Sequence, residues 1–460
     1  MEENWILFQL CFRFILYKID RRGDSVDLFA QPMDCLRSFD PEMADLACAE
    51  YQRQLNTLNL IVSENYASPY ALALEGSILA NKNAGGYPDS RGVGGCQVVN
   101  AIENLAMERI KRLFGCDHVN LQSMSATIAN LAVLQALLQP GDKILALGTE
   151  LGGHMSHGAA ENLSGMTYQV VTYGFDPATE QIDLAQVEAL AQAHRPKLII
   201  CGSGAYPRKT PYREFGAIAK SVGAYLLADI AHPAGLIAAG LLESPVPYAD
   251  VVTTTTHKTW RGPRGCGVIL CRKELAGAID RAVSPGIQGS PKIDMIAARA
   301  VLAKEAMTPA FRAYQRQTLA NAQALADALR KEGFRLVSGG TDTHLILVDV
   351  RSHIANGKEA DRVLSSVGLV VNKEPLPFDP LPPDLTSGIR IGTPALTTRG
   401  LKEPQFRRIA RWLSQALKSA RDPAGLAQIR RETETLAKQY PLFAEEWLPR
   451  EIRETSVRNP

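Results

Sequence analysis

The sequence lacks the features that mark several broad classes of protein. Its 50 lysines and arginines nearly balance its 48 aspartates and glutamates, so charge gives no case for a nucleic-acid or membrane partner. The eight cysteines are spread along 460 residues without a Cys-x-x-Cys pair, which predicts free thiols in a reducing, cytoplasmic compartment. No internal repeat or low-complexity tract is present. Small molecules are therefore the expected partners.

The first 39 residues are predicted to be an extension outside the main fold. Its stretch 5–17 is apolar but short, contains Arg13 and follows no basic residue, so it fits neither a membrane span nor a secretory signal. From residue 40 to residue 58, apolar residues recur at helical spacing, and a polar segment follows. We assign residues 40–66 to an N-terminal helical arm.

Short apolar runs alternate with helical patterns through the middle of the chain. Such alternation predicts a largely parallel sheet covered on both faces, within a large domain at 67–307. The seven predicted strands are 118–121, 143–147, 168–173, 197–202, 224–229, 250–256 and 267–271. The helices predicted between them include 127–138, 183–193 and 213–222.

Beyond residue 307 the pattern changes, which predicts a smaller α+β domain at 308–445 and a tail at 446–460. A loop at 374–384 is rich in proline, aspartate and leucine. The predicted helices are 308–333, 358–367, 402–420 and 423–439, and the predicted strands are 334–337, 344–350 and 388–392.

Two residues at predicted strand ends point to a cofactor. A threonine-rich strand ends in His257 and Lys258 and breaks into a glycine and proline turn, which holds one amine at the sheet edge. Asp229 ends another strand 29 residues earlier, enough for one crossover between parallel strands. Each residue alone is ordinary. Together they predict a Schiff-base lysine for pyridoxal phosphate and a carboxylate that keeps the ring nitrogen protonated.

Three more candidates follow from this architecture, each with a structural alternative. Ser125, Ala126 and Thr127 open a helix, a pattern that suits a phosphate site or an ordinary helix cap. His154 follows two glycines and suits stacking on a planar cofactor or a structural role. Arg390, between glycines in an apolar strand, suits bidentate capture of an α-carboxylate or a structural ion pair.

The order of these segments resembles the serine hydroxymethyltransferase family from about residue 44 to residue 440. The matching motifs are Leu60-Ile61-Val62-Ser63-Glu64-Asn65-Tyr66, Gly152-Gly153-His154, Asp229-x-x-His232, Thr253-Thr254-Thr255-Thr256-His257-Lys258, Gly262-Pro263-Arg264-Gly265, Ser338-Gly339-Gly340-Thr341-Asp342 and Ser387-Gly388-Ile389-Arg390. The resemblance implies the fold-type I pyridoxal-phosphate architecture, which is aspartate aminotransferase-like. It also implies a homodimer whose active sites are built from both subunits.

The resemblance also implies roles around the cofactor ring. Lys258 should form the Schiff base, Asp229 should pair with the ring nitrogen, and His154 should stack on the ring. His232 should lie near the phenolic oxygen, and Thr255 should neighbour the reacting carbon.

Further roles concern the phosphate and the substrate. The phosphate site implied by the resemblance comprises Ser125, Ala126, Thr127, His257 and, from the other subunit, Gly289. The loop around Gly289 has lost two of the usual glycines, now Ile287 and Ser290. Ser63 and Arg390 should hold the carboxylate of the amino-acid substrate, and no metal ion is expected.

The departures from the family pattern concern folate and proton handling. Gly85 replaces the glutamate that handles protons, and Gly92 and Val93 replace two tyrosines that help close the substrate site. Thr149 and Glu374 replace a leucine and an asparagine on the folate side. Gly204 replaces a serine that commonly contacts the ring oxygen.

Three functions are consistent with this pattern. The first is a folate-independent aldolase or transaldolase that makes or breaks the Cα–Cβ bond of β-hydroxy-α-amino acids through a glycine quinonoid, with an aldehyde as the second substrate. The second is a tetrahydrofolate-dependent serine/glycine hydroxymethyltransferase with unusual residues. The third is a catalytically weak, regulatory protein that binds pyridoxal phosphate.

Overall fold

A computed structural model describes residues 36–442. The predictions for the extension up to residue 35, including its apolar stretch, and for the tail at 446–460 therefore lie outside the described residues. Between residues 36 and 442, no helix is long and apolar enough to cross a lipid bilayer. The six cysteines within this range are all free thiols.

Fifteen α-helices are numbered here in chain order. They are α1 Pro41–Asn56, α2 Pro69–Glu75, α3 Gln97–Phe114, α4 Ala126–Leu137, α5 Leu163–Thr167, α6 Leu184–His194, α7 Tyr212–Val222, α8 Ala234–Ala238, α9 Ala276–Arg281, α10 Ile293–Ala306, α11 Pro309–Lys331, α12 Gly357–Ser366, α13 Pro394–Thr398, α14 Glu403–Lys418 and α15 Pro423–Gln439.

Thirteen strands are numbered in the same way. They are β1 Leu58–Asn59, β2 His118–Asn120, β3 Lys143–Leu147, β4 Gln169–Tyr173, β5 Leu198–Cys201, β6 Tyr225–Asp229, β7 Val251–Thr255, β8 Gly267–Cys271, β9 Arg335–Leu336, β10 Leu345–Asp349, β11 Leu369–Val370, β12 Asn372–Glu374 and β13 Gly388–Gly392.

The predicted α/β layering is confirmed by a seven-stranded sheet in the order β2-β8-β7-β6-β5-β3-β4. All neighbouring pairs among β3 to β7 are parallel, and β8 runs antiparallel to both of its neighbours. Two apolar clusters pack against the sheet, as expected for strands that are buried on both faces. All seven strands coincide with the predicted ones to within two residues at either end.

A second, four-stranded sheet has the order β12-β13-β10-β9 and is antiparallel throughout. A separate apolar cluster packs against it and includes residues of α11, α12 and α14. The long helix and the strands β10 and β13 were predicted. The sequence prediction began a loop at residue 374, which is wrong, because Glu374 ends strand β12.

Two long helices, α3 and α10, were not among the predicted elements. Helix α10 is buried on nearly all sides, so its sequence lacks the one-sided apolar spacing that identifies a surface helix. Strand β12 has the sequence Asn-Lys-Glu, which carries no strand propensity, and its pairing with β13 forms it.

The N-terminal arm is attached to the second sheet region by hydrogen bonds and one buried cation. Strand β1 pairs in parallel with β11, and the Gly392 N–H donates to the carbonyl of Leu60. Arg399, which is 2% exposed, lies just after α13. Its guanidinium donates to five backbone carbonyls of the arm and of the C-terminal helix region, those of Gln54, Leu55, Thr57, Ala437 and Tyr440.

Replacing Arg399 with alanine is expected to lower the free energy of unfolding by about 3–5 kcal/mol, because several carbonyls lose a charged donor. Urea denaturation followed by circular dichroism measures this change. The exposed Arg411 on α14 is the matched control, and its replacement with alanine should change stability by less than about 0.5 kcal/mol. An equal loss in the two variants would contradict the role assigned to Arg399.

Candidate active site

The carboxyl ends of several parallel strands meet at one edge of the large sheet, and the candidate residues converge there. Asp229 ends β6, and the parallel neighbour β7 ends at Thr255, three residues before Lys258. Ligands bind at this edge of open α/β sheets. Two distant segments of sequence thus bring Asp229 and Lys258 to the same edge of the sheet, after neighbouring parallel strands. Their roles toward a cofactor stay predictions.

Asp229 is buried and accepts three hydrogen bonds. Its Oδ2 accepts from His157 Nε2 at 3.0 Å and from Asn130 Nδ2 at 2.9 Å, and its Oδ1 accepts from the Ala231 N–H at 2.9 Å. Burial alone would raise the pKa of Asp229, but the bond from His157, the nearby imidazoles and the bond from Asn130 outweigh it. The net pKa lies below the ordinary value, so the carboxyl is ionised at neutral pH.

The same network reaches His154. Asn130 Nδ2 also donates to Ser156 Oγ at 2.9 Å, and Ser156 Oγ lies 2.7 Å from His154 Nδ1. Asn130 Oδ1 in turn accepts from Thr253 Oγ1 at 2.6 Å, which ties the network to β7. Burial lowers the pKa of His154, so its ring is neutral at pH 7.

Sequence reasoning missed Asn130 and His157. Asn130 is a fully buried polar residue that the apolar residues Ala129, Leu131, Ala132 and Val133 flank in α4, and this contrast was its available signal. His157 follows His154 by three residues in the same glycine-rich segment. The sequence therefore also allowed the prediction of a second imidazole near the first.

Lys258 is buried, and its Nζ donates to Thr255 Oγ1 at 3.0 Å. Burial lowers the pKa of Lys258 to about 8, although the carboxylate of Asp229 opposes the shift. The backbone carbonyl of Lys258 accepts from Asn65 Nδ2 at 2.8 Å. Asn65 also bonds Tyr314 of α11 and Thr398 of α13, so the arm, the lysine and the C-terminal region share one residue.

The predicted phosphate cup lies at the N-terminus of α4. Ser125 is the helix N-cap, and its Oγ accepts from the Ile128 N–H. The N–H groups of Ala126 and Thr127 belong to the first turn and have no partner within the helix, so they are donors for an anion. Burial lowers the pKa of the nearby strand-end His257 to about 3, so its ring is uncharged.

One corner of the site is formed by His232, Gly204 and Arg390. A Cβ built on Gly204 would lie 3.7 Å from His232 Nε2 and 3.4 Å from Arg390 Nη1. His232 is buried, which lowers its pKa well below the ordinary value, and its ring lies stacked on that of His344, with centroids 5.8 Å apart. His344 was missed, although it is a histidine directly before the apolar strand β10.

Arg390 is held by an acidic neighbour in this structure. Its Nη1 donates to the Gly204 carbonyl at 2.6 Å and lies 3.2 Å from Glu374 Oε1. Of the two alternatives that the sequence left open, the ion pair is therefore present in the chain as described. The predicted role with an α-carboxylate stays a prediction.

Neither Ser63 nor Gly289 makes a hydrogen bond to the lysine in the chain described here. Ser63 lines an open cleft of about 620 Å³ together with Asn65, His257 and Arg264. Gly289 is exposed, and its carbonyl accepts from Ser284 Oγ at 3.5 Å. Its predicted contribution to the phosphate site of another subunit stays a prediction.

The chemistry of the donor set fits pyridoxal phosphate. A carboxylate has about four acceptor positions, and Asp229 uses three, which leaves one for a ring N–H. The helix N-terminus at Ala126 supplies phosphate donors, and Lys258 supplies an amine. The backbone at Gly153, directly before His154, packs closely against the end of β3. A Cβ there would lie 2.1 Å from the Leu147 carbonyl oxygen, so only glycine fits.

The loop that carries Gly85 is ordered by a buried ion pair. Arg91 bonds the carboxylate of Glu103, which is 1% exposed, and donates to the Ala84 carbonyl at 2.7 Å. Gln122 Nε2 donates to the other oxygen of Glu103 at 2.9 Å. A Cβ on Gly85 would meet its nearest neighbour, Asn83 Oδ1, at 4.0 Å, so this position faces open space.

Comparison with known proteins agrees with the geometry. The serine hydroxymethyltransferase family model matches residues 36–413. A curated serine hydroxymethyltransferase of Myxococcus xanthus (strain DK1622) is 51% identical over 409 residues. The alignment covers 89% of this chain and 98% of that protein.

The His157 bond to Asp229 can be tested with a matched pair of variants. His157→Ala removes a donor to a buried carboxylate, which costs about 1.5–3 kcal/mol and should weaken cofactor binding about 10- to 100-fold. His157→Gln keeps an N–H donor and should retain most of the affinity. Fluorescence titration of the apoprotein with pyridoxal phosphate measures both, and equal affinities of the two variants would refute this role.

The lowered pKa of Lys258 predicts how cofactor attachment depends on pH. The neutral amine is the reactive form, so the rate of attachment should rise about tenfold per pH unit below pH 8 and level off above it. Stopped-flow absorbance of the apoprotein mixed with pyridoxal phosphate measures this rate. A rate that continues to rise to pH 10 would show an ordinary lysine, and Lys258→Ala should form no visible band.

Proposed function

Because this chain belongs to the serine hydroxymethyltransferase family, we propose that it makes and breaks the Cα–Cβ bond of β-hydroxy-α-amino acids without tetrahydrofolate. It is an enzyme of the pyridoxal-phosphate-dependent transferase kind that this family comprises. The proposed reaction is that of an aldolase or a transaldolase, with an aldehyde as the second substrate.

The observation that carries the proposal is the absence of a side chain at Gly85, where a Cβ would meet no atom closer than 4.0 Å within the chain. The family residue at this position is a carboxylate that handles protons, and here the position has no side chain. Glu103, the carboxylate that orders this loop, is fully engaged by Arg91 and Gln122 and is not available for proton transfer. Gly92 likewise faces open space, where the family has a tyrosine.

The remaining residues support carbon–carbon bond chemistry. The bound cofactor supplies an electron sink that weakens one bond at the substrate Cα. Asp229 holds a proton on the ring nitrogen, Lys258 anchors the cofactor, and Thr255 positions the lysine amine. Arg390 would hold the substrate carboxylate and so orient the amino acid for cleavage of one Cα bond.

A proton must also leave the β-hydroxyl when the Cα–Cβ bond breaks. Burial lowers the pKa values of His154 and His232, so both imidazoles are neutral at pH 7. The same shift makes them weaker proton acceptors than an ordinary histidine, and the effect is larger for His232. General-base catalysis by an imidazole needs no carboxylate at position 85. We assign this step to one of these two histidines.

A tetrahydrofolate-dependent serine/glycine hydroxymethyltransferase is the second candidate. The relative from Myxococcus xanthus is named a serine hydroxymethyltransferase, and its alignment with this chain spans nearly its full length. This candidate requires another group to replace the missing glutamate.

We further propose a homodimer with shared active sites in the cytoplasm. The exposed Gly289 segment adjoins the Gly85 loop, because the Ala84 N–H donates to Ser290 Oγ at 2.9 Å. Exposed apolar side chains, including Ile78, Val98 and Met124, suit a subunit contact. Free cysteines support a reducing compartment.

The test compares threonine, phenylserine and serine as substrates with and without tetrahydrofolate. We expect threonine or phenylserine to be cleaved and tetrahydrofolate to change every rate by less than twofold. Aldehyde release measures cleavage, and a panel of acceptor aldehydes measures transfer. Serine turnover that depends on tetrahydrofolate and exceeds threonine cleavage would overturn the proposal in favour of the second candidate.

A gain-of-function variant sharpens this test. A Cβ at position 85 meets no clash within the chain, and Gly85→Glu returns a carboxylate to the family position, so tetrahydrofolate should stimulate its serine turnover at least tenfold. Gly92→Glu is the matched control, since it adds the same charge at another open position of the loop. Equal stimulation in both variants, or in neither, would contradict the role assigned to position 85.

A further inference from the structure

Glu374 and Arg390 lie on one face of two paired strands. In the register of β12 and β13, Asn372 is opposite Arg390 and Glu374 is opposite Gly388. Residues two apart on a strand share a face, so Glu374 and Arg390 are diagonal neighbours. Gly388 has no side chain, and a Cβ there would lie 2.3 Å from Leu376 Cδ2, so Leu376 packs closely over this position. The pair is therefore set by the sheet itself.

Both oxygens of the Glu374 carboxylate are held. Oε1 lies 3.2 Å from Arg390 Nη1, and Oε2 accepts from Asn372 Nδ2 at 2.8 Å. Each side chain of the ion pair is 15% exposed, so this is not a solvated surface contact. Burial raises the pKa of Glu374, although the charge of Arg390 opposes the shift.

A substrate α-carboxylate needs the same guanidinium. Two carboxylates around one partly buried cation repel each other, and the one with the higher pKa then takes up a proton. An amino-acid α-carboxyl has a lower pKa than a buried glutamate, so the proton should go to Glu374. The protonated carboxyl can then donate a hydrogen bond to the carboxylate that replaced it.

The charged groups around this corner do not remove the conflict. His232 and His344 are buried and neutral, because burial lowers both pKa values. Lys258 is the other nearby cation, and the cofactor engages it. On β12 itself, Lys373 directs its Nζ to the backbone carbonyls of Pro383 and Asp384, and Asp361 of the adjoining α12 faces Lys373.

We propose that Glu374 is a specificity-determining residue that occupies Arg390 until an amino-acid carboxylate displaces it, and that this displacement takes up one proton at Glu374. The inference rests on the proposed role of Arg390 in substrate binding. Competition from the Glu374 carboxylate then lowers the affinity for the amino acid. This affinity decreases further as the pH rises above the pKa of Glu374.

The experiment measures glycine binding to the holoenzyme by its visible absorbance from pH 6 to pH 9. At pH 8, the dissociation constant of Glu374→Gln should be at least tenfold lower than that of the unmodified protein. The ratio should shrink as the pH falls toward the pKa of Glu374, because protonation then removes the competitor. The two proteins are compared at the same pH, so that the titration of glycine and of Lys258 affects both dissociation constants equally.

Calorimetry in two buffers of different ionisation enthalpy counts protons. The unmodified protein should take up about one proton more per glycine than Glu374→Gln at pH 8. Glu374→Asn, which carries the residue usual in the family, serves as a second variant if the first folds poorly. Glu180→Gln is the control, because it removes a comparable ion pair, with Arg335, away from this corner and should leave glycine affinity unchanged.

The outcomes separate this inference from the proposed function. If Arg390→Lys leaves glycine affinity unchanged, the carboxylate binds elsewhere, and both the role of Arg390 and this inference fail. If Arg390→Lys weakens binding at least tenfold but Glu374→Gln gives neither tighter binding nor a smaller proton uptake, this inference alone is overturned.

Discussion

The buried carboxylate of Asp229 is the interaction on which the candidate site depends. An ionised carboxyl in the interior is costly unless hydrogen bonds compensate for the lost water. Here a histidine, an asparagine and a backbone N–H supply those bonds, and they come from three different segments of the chain. The requirement that Asp229 stay charged therefore explains why His157 and Asn130, which have no obvious chemistry of their own, are buried at the sheet edge.

A second constraint joins the arm and the C-terminal region to this edge. Asn65 bonds the backbone of Lys258 and two residues of the C-terminal region, and Arg399 binds backbone carbonyls of the arm and of helix α15. The backbone of the lysine is thus held by a residue of the arm. The predicted substrate residues Ser63 and Arg390 come from segments that these bonds attach.

Much of this arrangement was readable from the sequence, because strands and amphipathic helices have distinct periods. The neighbouring positions of Asp229 and Lys258 followed from two strand ends and one crossover. Helix α10 was not readable, since burial on nearly all sides removes its periodicity. Strand β12 was not readable because its pairing partner, rather than its composition, forms it, and so the pairing of Glu374 with Arg390 emerged only in three dimensions. A contribution of Gly289 to a second subunit also depends on contacts beyond one chain.

The residues predicted for the cofactor follow the family pattern more closely than the residues at the positions that the family uses for folate. The lysine, aspartate and imidazole set is complete, while positions 85, 92, 93 and 374 depart from the family pattern together.

The most direct measurement is the exchange of the glycine α-proton with deuterated solvent, followed by proton NMR on the holoenzyme. Our account predicts exchange that requires Lys258 and changes less than twofold when tetrahydrofolate is added. Acceleration of tenfold or more by tetrahydrofolate would contradict it.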